Sequence, residues 1–280
     1  MIYVLYNPIS GQGDGLICAE KITDGNKDSY RLIDMTSISS YDTFKSELNE
    51  EDELIICGGD GTLNRFINAT SAFDLKNKIF YYPTGTGNDF YTDMTGKKCG
   101  EPIDITEKLK NLPAVCVNGK SYKFINGVGY GIDGYCCEVG DEIREKGKKA
   151  NYTAIAIKGL LFKFKPRNAT VTVDGVERKY KKVWIAPTMF GRHYGGGMIP
   201  TPDQNRDALP RKLSLMLFHG SGKLKTLMIF PSIFKGEHVA HTDCVEVLVG
   251  KCITVKFDSP TTLQIDGETV LGVTEYTATI

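Results

Sequence analysis

Residues 57–64 read Cys-Gly-Gly-Asp-Gly-Thr-Leu-Asn and follow directly on the apolar run Leu54-Ile55-Ile56. With Gly58, Gly59 and Gly61, this turn can take positive φ and bring backbone close to a ligand, because no Cβ stands in the way. Asp60 places a carboxylate there, suited to holding a metal ion. Thr62–Ala69 reads as a helix, so helical N–H groups and the positive end of a helix dipole face the same spot. Strand, glycine turn and helix start describe a phosphate cradle with an acid in it. The same residues also fit an ordinary tight turn, since Asp-Gly pairs are common turn formers.

The elements around the turn follow an alternating rhythm. Strands are expected at Ile2–Tyr6, Tyr30–Ile33, Leu54–Cys57 and Ile79–Tyr82, with helices at Tyr41–Leu48 and Leu63–Ser71. Strands separated by helices imply a parallel sheet covered on both faces, with ligands bound past the carboxyl ends of the strands. From about Tyr122 the pattern changes. After one long segment, Asp141–Phe164, β-branched runs recur at Ala169–Val173, Val183–Pro187, Lys212–Phe218, Val245–Val249, Ile253–Phe257 and Thr262–Ile265, with Asp174-Gly175 as a hairpin turn. This is the pattern of an antiparallel sandwich or barrel. The expected organisation is a Rossmann-like α/β domain over 1–121 and a β-sandwich domain over 122–271, with 272–280 returning to the first.

Composition narrows the class. A net charge of zero excludes a globally basic nucleic-acid binder, and an apolar fraction of 41% supports ordinary cores. Charge is nevertheless uneven. Between Arg144 and Lys182 the basic residues, among them Lys146, Lys148, Lys149, Lys158, Lys163, Lys165 and Arg167, face only Glu145, Asp174 and Glu177. Such a patch favours an anionic surface such as a membrane. The bland alternative is a solvated face, with the Tyr152–Phe162 segment a helix packed on the sandwich. The eight cysteines show neither Cys-x-x-Cys pairs nor zinc spacing, which points to a reducing compartment. No signal peptide and no membrane-length apolar run is evident, so a cytoplasmic protein, peripheral at the membrane, is expected.

Two weaker signals carry little. Gly11-x-Gly13-x-Gly15 with Asp34 mimics a dinucleotide fingerprint, but the spacing is not Gly-x-Gly-x-x-Gly. His238-x-x-His241 has helical metal spacing but no third ligand nearby.

Four segments in order carry a specific resemblance: Asn7-Pro8-Ile9-Ser10-Gly11, Gly58-Gly59-Asp60-Gly61-Thr62-Leu63-Asn64, Pro83-Thr84-Gly85-Thr86-Gly87-Asn88-Asp89-Phe90 and Gln264-Ile265-Asp266-Gly267-Glu268. Together with Asn126-Gly127-Val128-Gly129-Tyr130-Gly131-Ile132-Asp133 they resemble the diacylglycerol kinase catalytic family, which includes bacterial lipid kinases and sphingosine and ceramide kinases. The resemblance spans nearly the whole chain. It implies a nucleotide-binding α/β domain and a β-sandwich with the active site in the cleft between, ATP as co-substrate, Mg²⁺, and a lipid acceptor at a membrane surface. It places Asn7, Ser10, Gly11, Thr36, Gly58, Gly59, Asp60, Gly61, Thr62, Asn64, Gly85, Thr86, Asn88 and Asp89 around the nucleotide.

By the same resemblance Glu268 is the general base, Asp60 holds the nucleotide-linked metal, and Asp266 supports Glu268 or shares the metal shell. Some family members are described with the base on the acid of the glycine turn instead. No Walker-type Gly-x-x-x-x-Gly-Lys-[Ser/Thr] occurs, so backbone amides and Mg²⁺ must neutralise the phosphates. The family's structural-metal loop corresponds to Pro200–Leu209, with Asp207 and the carbonyls of Gln204 and Leu209 as ligands and Asp203 as competitor. Ala208 stands where glycine is usual, which puts that site in doubt. NAD kinase and a nucleotide-binding regulator without turnover are the alternatives, and a homodimer is left open.

Overall fold

Short apolar runs, each ending in a polar or glycine-rich turn, set the strands of the N-terminal half. A computed structural model describes residues 1–8, 10, 13–23, 28–70, 75–85, 87–147 and 150–280. The chain divides into two units, Met1–Leu112 and Pro113–Ile280.

In the first unit the order is β1 (Ile2–Tyr6), α1 (Gly15–Thr23), β2 (Tyr30–Asp34), α2 (Tyr41–Glu47), β3 (Glu53–Gly58), α3 (Asp60–Thr70), β4 (Lys78–Pro83), α4 (Asp89–Thr95) and β5 (Ile103–Asp104). The sheet runs β2-β1-β3-β4-β5, parallel throughout except for β5. Side chains alternate between its faces. Val4, Ile55 and Cys57 pack with Ala19 of α1 on one face. On the other, Tyr3 meets Phe44 of α2 edge-on at 6.0 Å between centroids, and Tyr41 meets Phe66 of α3 at 6.1 Å. The covered parallel sheet expected from the rhythm is present.

The second unit holds β6 (Ala114–Val117), β7 (Lys120–Lys123), β8 (Gly127–Tyr130), α5 (Ile132–Glu145) and α6 (Tyr152–Lys158), which passes into a π-helical turn over Gly159–Lys163. Next come β9 (Arg167–Val173), β10 (Val176–Val183), β11 (Thr188–Met189), β12 (Leu213–Phe218), α7 (Lys223–Ile229), two short 3-10 segments, β13 (Val245–Gly250), β14 (Cys252–Ile265) and β15 (Glu268–Thr279). All pairings are antiparallel, in the order β13-β12-β11-β8-β14-β15-β6-β7, with β9 joining β14 to β10. The core under α5, α6 and α7 gathers Ile132, Leu160, Phe164, Trp184, Met216, Ile229 and Ile233.

Three expectations change. The boundary drawn at 121/122 lies between Leu112 and Pro113, because β6 pairs with β15 and β7 with β6. Residues 272–280 do not return to the first unit's sheet; most of them belong to β15, paired with β14 and β6. The runs Ile253–Phe257 and Thr262–Ile265 are one strand, whose register shifts around Pro260 let its first half pair with β9 and its last residues with β8.

Candidate active site

The loops after β1, β3 and β4 converge, as the carboxyl ends of neighbouring parallel strands must. Gly58 is opposite Pro83, and the Thr84 amide donates to the Gly58 carbonyl at 2.9 Å. The Asn7 side-chain amide lies 3.3 Å from the Thr62 hydroxyl, and the Ser10 and Thr84 hydroxyls are 3.2 Å apart. Below them the floor is dry: burial pushes the Cys57 thiol up to about 12. Asn7, Ser10, Gly58, Gly59, Thr62 and Gly85 therefore form one cluster.

The glycines serve close approach rather than positive φ, which corrects the sequence-based expectation for this turn. Gly58, Gly59 and Gly61 are not among the positive-φ glycines. A Cβ on Gly58 would lie 2.4 Å from Thr62 Cβ. A Cβ on Gly85 would lie 2.8 Å from Gly59 Cα and 2.9 Å from Asn88 Oδ1. The two turns thus touch backbone to backbone, an approach that a side chain on Gly85 would prevent.

Asp60 does something the sequence did not reveal. The helix begins at Asp60, not Thr62, and its carboxylate reaches the next turn. Oδ2 accepts from the Asp89 amide and Oδ1 from the Phe90 amide, both at 2.9 Å. It caps α4 in place of Asn88, which sits at φ 50 with no side-chain cap of its own. The Asn88 side-chain amide donates instead to the carbonyls of Gly85 and Lys98, both at 2.8 Å. Such caps contribute roughly 0.5–2 kcal/mol and hold the acid in a single orientation. Asp89, in the first turn of α4, is buried, and the buried Tyr81 has its hydroxyl pKa raised by burial and then by the charges of Asp60 and Asp89.

Other expected nucleotide contacts are less integrated. Thr36 follows β2 in a 3-10 turn closed by Asp34, which accepts from the Thr36 amide at 2.8 Å and its hydroxyl at 2.7 Å. Asn64 is buried in α3, where the Asn68 amide group donates to its carbonyls at 3.0 and 3.1 Å. Gly11 and Thr86 lie outside the described residues.

In the second unit Asp266 and Gly267 form the β14–β15 hairpin turn, at φ 47 and 94. The Asp266 carboxylate is 7% exposed and accepts three backbone N–H groups: Ile125 at 2.6 Å, Asn126 at 2.8 Å and Gly127 at 3.0 Å. Expected as a partner of Glu268, it anchors the start of the Asn126-Gly127-Val128-Gly129 motif. Buried Arg206 completes that anchor, donating to the Ile125 carbonyl at 3.0 Å and to Asn126 Oδ1 at 3.3 Å. Glu268 opens β15 opposite Ile265, half-buried on a turn whose Gly267 amide donates to Gln264 Oε1 at 2.6 Å.

Asp133 closes the Asn126–Asp133 motif. It is buried at the start of α5 and accepts from the Tyr194 hydroxyl at 3.0 Å, while its other oxygen has no hydrogen-bond partner. Burial raises its pKa to about 6, against hydrogen bonds from Tyr194, two backbone amides and Gln264 that lower it. A Cβ on Gly129 would lie 1.6 Å from Asp133 Oδ2. The motif's glycine is therefore a signal for Asp133.

The metal loop expected from Asp207 and the carbonyls of Gln204 and Leu209 lies in the turns that precede β12. Among the described residues no group of three or more His, Cys, Asp or Glu could hold a metal ion. The Gln204 side chain turns inward, donating to the carbonyls of Phe190 and Lys212 at 3.0 Å and accepting from Ser214. The Asp207 amide donates to Asn205 Oδ1 at 2.9 Å, and Leu209 is 86% exposed. His238 is buried with Nε2 2.9 Å from the Pro200 carbonyl, a core histidine.

Residues 126–279 match the YegS C-terminal NAD kinase beta sandwich-like domain, and residues 1–116 match the diacylglycerol kinase catalytic domain. The chain belongs to the diacylglycerol kinase-type lipid kinase family. As a member it is a lipid kinase, a phosphotransferase acting on an alcohol group. A diacylglycerol kinase of Mycobacterium tuberculosis is 25% identical over 273 residues, covering 92% of this chain and 85% of that protein. Two crystal structures from Bacillus anthracis str. Sterne, whose descriptions name diacylglycerol kinase, cover 99% of this lipid kinase and 91% and 93% of their own chains. They do so with TM-scores of 0.69 and 0.61 at 19% and 16% identity, and so share its fold. No helix among the described residues is long and apolar enough to cross a membrane.

Proposed function

We propose that this lipid kinase uses ATP with Mg²⁺ and transfers the γ-phosphoryl group to a primary lipid hydroxyl at a membrane surface, with diacylglycerol as acceptor and phosphatidate as product. The observation that carries the reading is the backbone contact of Gly59 with Gly85, pinned by the Asp60 carboxylate across both turns. A Cβ on Gly85 would meet Gly59 Cα at 2.8 Å and push the two turns apart, so the glycines set how the amides at the start of α3 are presented to a phosphate chain.

Phosphoryl transfer asks the protein mainly for positioning and charge stabilisation. Mg²⁺ brought in with the nucleotide supplies charge neutralisation, and Asp60 and Asp89 are the carboxylates available to hold it. Ser10 and Thr62 offer hydroxyl donors to the phosphate oxygens. Glu268 takes the proton of the acceptor hydroxyl as its oxygen bonds to the γ-phosphorus. The bond from that phosphorus to the bridging oxygen then breaks and ADP leaves. A carboxylate in this role accelerates transfer about 10²–10⁴-fold.

Labelled ATP with diacylglycerol in mixed micelles tests the reading. Glu268→Gln is expected to lower kcat by about 10²-fold or more while nucleotide affinity stays unchanged. No transfer to any diacylglycerol, sphingoid or ceramide acceptor would refute lipid phosphorylation. Phosphorylation of NAD in its place would show a different acceptor.

A further inference from the structure

Two segments of the second unit pack together and share an unusual surface. α6 with its π turn, and α7 with the 3-10 segment Phe230–Lys235 that follows, bury Ile155, Leu160, Phe164, Ile229 and Ile233 in one core. The Lys223 ammonium donates to the Leu161 carbonyl at 3.1 Å, which places the start of α7 beside the π turn. Their outer side is not polar. Phe162 is 75% exposed, Leu224 77% and Met228 75%, with Ile157 at 42%. Leu224 and Met228, four apart on α7, share one helical face.

The charged residues that these two segments themselves carry have one sign. Neither Asp nor Glu occurs between Glu145 and Asp174, nor between Asp207 and Glu237. Lys158, Lys163, Lys165 and Lys223 are exposed within these segments, and of their neighbours Lys225 is paired with Asp243. Exposed large apolar side chains flanked by lysines are built for the boundary between headgroups and acyl chains. The apolar tips enter, and the lysine stems reach phosphate oxygens. A second copy of the chain is disfavoured, because an isologous contact would set the same lysines against each other.

We propose that Phe162, Leu224 and Met228, with Lys158, Lys163 and Lys223 around them, form the surface by which this protein docks on an anionic bilayer. The proposal deepens the lipid-kinase reading by naming the face presented to the substrate's membrane, and it is read without turnover. The earlier alternative of a helix simply packed on the sandwich describes only the inner side of these segments.

Cosedimentation with vesicles of phosphatidylglycerol and phosphatidylcholine, against phosphatidylcholine alone, tests it. The wild type is expected to partition to the anionic vesicles only, and less as salt rises. Phe162→Ser with Leu224→Ser and Met228→Ser, and separately Lys158→Gln with Lys163→Gln, each lower partitioning about tenfold or more. The thermal transition and the Trp184 emission of each variant verify that it is folded. Equal binding by either variant set, or no preference for anionic vesicles, overturns the proposal. So does a dimer in light scattering that the serine variants abolish while vesicle binding persists. Phosphorylation of a short-chain, monomeric diacylglycerol separates the two readings. If that fails while binding follows the variants, diacylglycerol as the acceptor falls and the docking surface stands.

Discussion

Asp133→Asn gives the sharpest test of how the second unit is built. Asp133 lies buried at the start of α5, and burial lifts its pKa from 3.8 to about 6. The folded protein thus holds the proton more tightly than the unfolded chain. The associated stability is fully present below pH 3.8, shrinks as pH rises and is gone above about 6. At about 1.4 kcal/mol per pH unit, a rise of about two units amounts to about 3 kcal/mol. Asparagine keeps an acceptor for the Tyr194 hydroxyl and carries no charge. The stability of Asp133→Asn relative to wild type is therefore expected to rise by about 2.5 kcal/mol between about pH 4 and pH 7. Taking the difference cancels the carboxylates with opposite shifts, such as Asp104, whose pKa is lowered by hydrogen bonds from Thr106. The assay is urea unfolding followed by fluorescence. The chain's single tryptophan, Trp184, is buried in the core of the second unit, so its emission reports that unit. A wild-type-to-variant difference flat to within about 0.5 kcal/mol over this range would refute the account of Asp133 as a buried ionisable group held against its desolvation.

Two further substitutions test the anchors. Gly85→Ala is expected to be more harmful than Gly59→Ala, because the new Cβ would stand 2.8 Å from backbone in the first case and 3.3 Å in the second. A cost of about 1–3 kcal/mol and at least about a tenfold loss of turnover for Gly85→Ala, by melting and initial rates, is the expected result. Asp266→Asn keeps a residue that tolerates φ 47 but removes the charge and one acceptor oxygen facing three buried N–H groups. It should cost about 2–4 kcal/mol by Trp184-monitored unfolding, and an unchanged midpoint would contradict the anchoring role.

Much of this protein was legible in the sequence because it depends on local pattern. The apolar runs ending at Tyr6, Cys57 and Tyr82 marked the parallel strands β1, β3 and β4, and polar glycine turns directly after them marked the ligand-facing ends. The hairpin at Asp266-Gly267 was equally visible, as was the change of rhythm between the two units. Misplaced elements share a cause. Whether Ile253–Phe257 and Thr262–Ile265 make one strand or two depends on partners β8 and β9, which are far away in sequence. The home of residues 272–280 likewise depends on β6 being free to pair with them.

The sequence by itself determined which residue types were present at the turns: glycines where backbone must come close, and acids within reach. Only the tertiary structure decided what each of them does. Asp60 finds its donors in residues 89 and 90, and Asp266 finds its own in 125–127. Gly85 must lack a Cβ because Gly59 touches it, not because its own φ requires it. These facts come from strand order and register, which bring distant segments to within hydrogen-bonding distance. A residue's periodicity reports the face it occupies; the partner across that face is set by the fold as a whole.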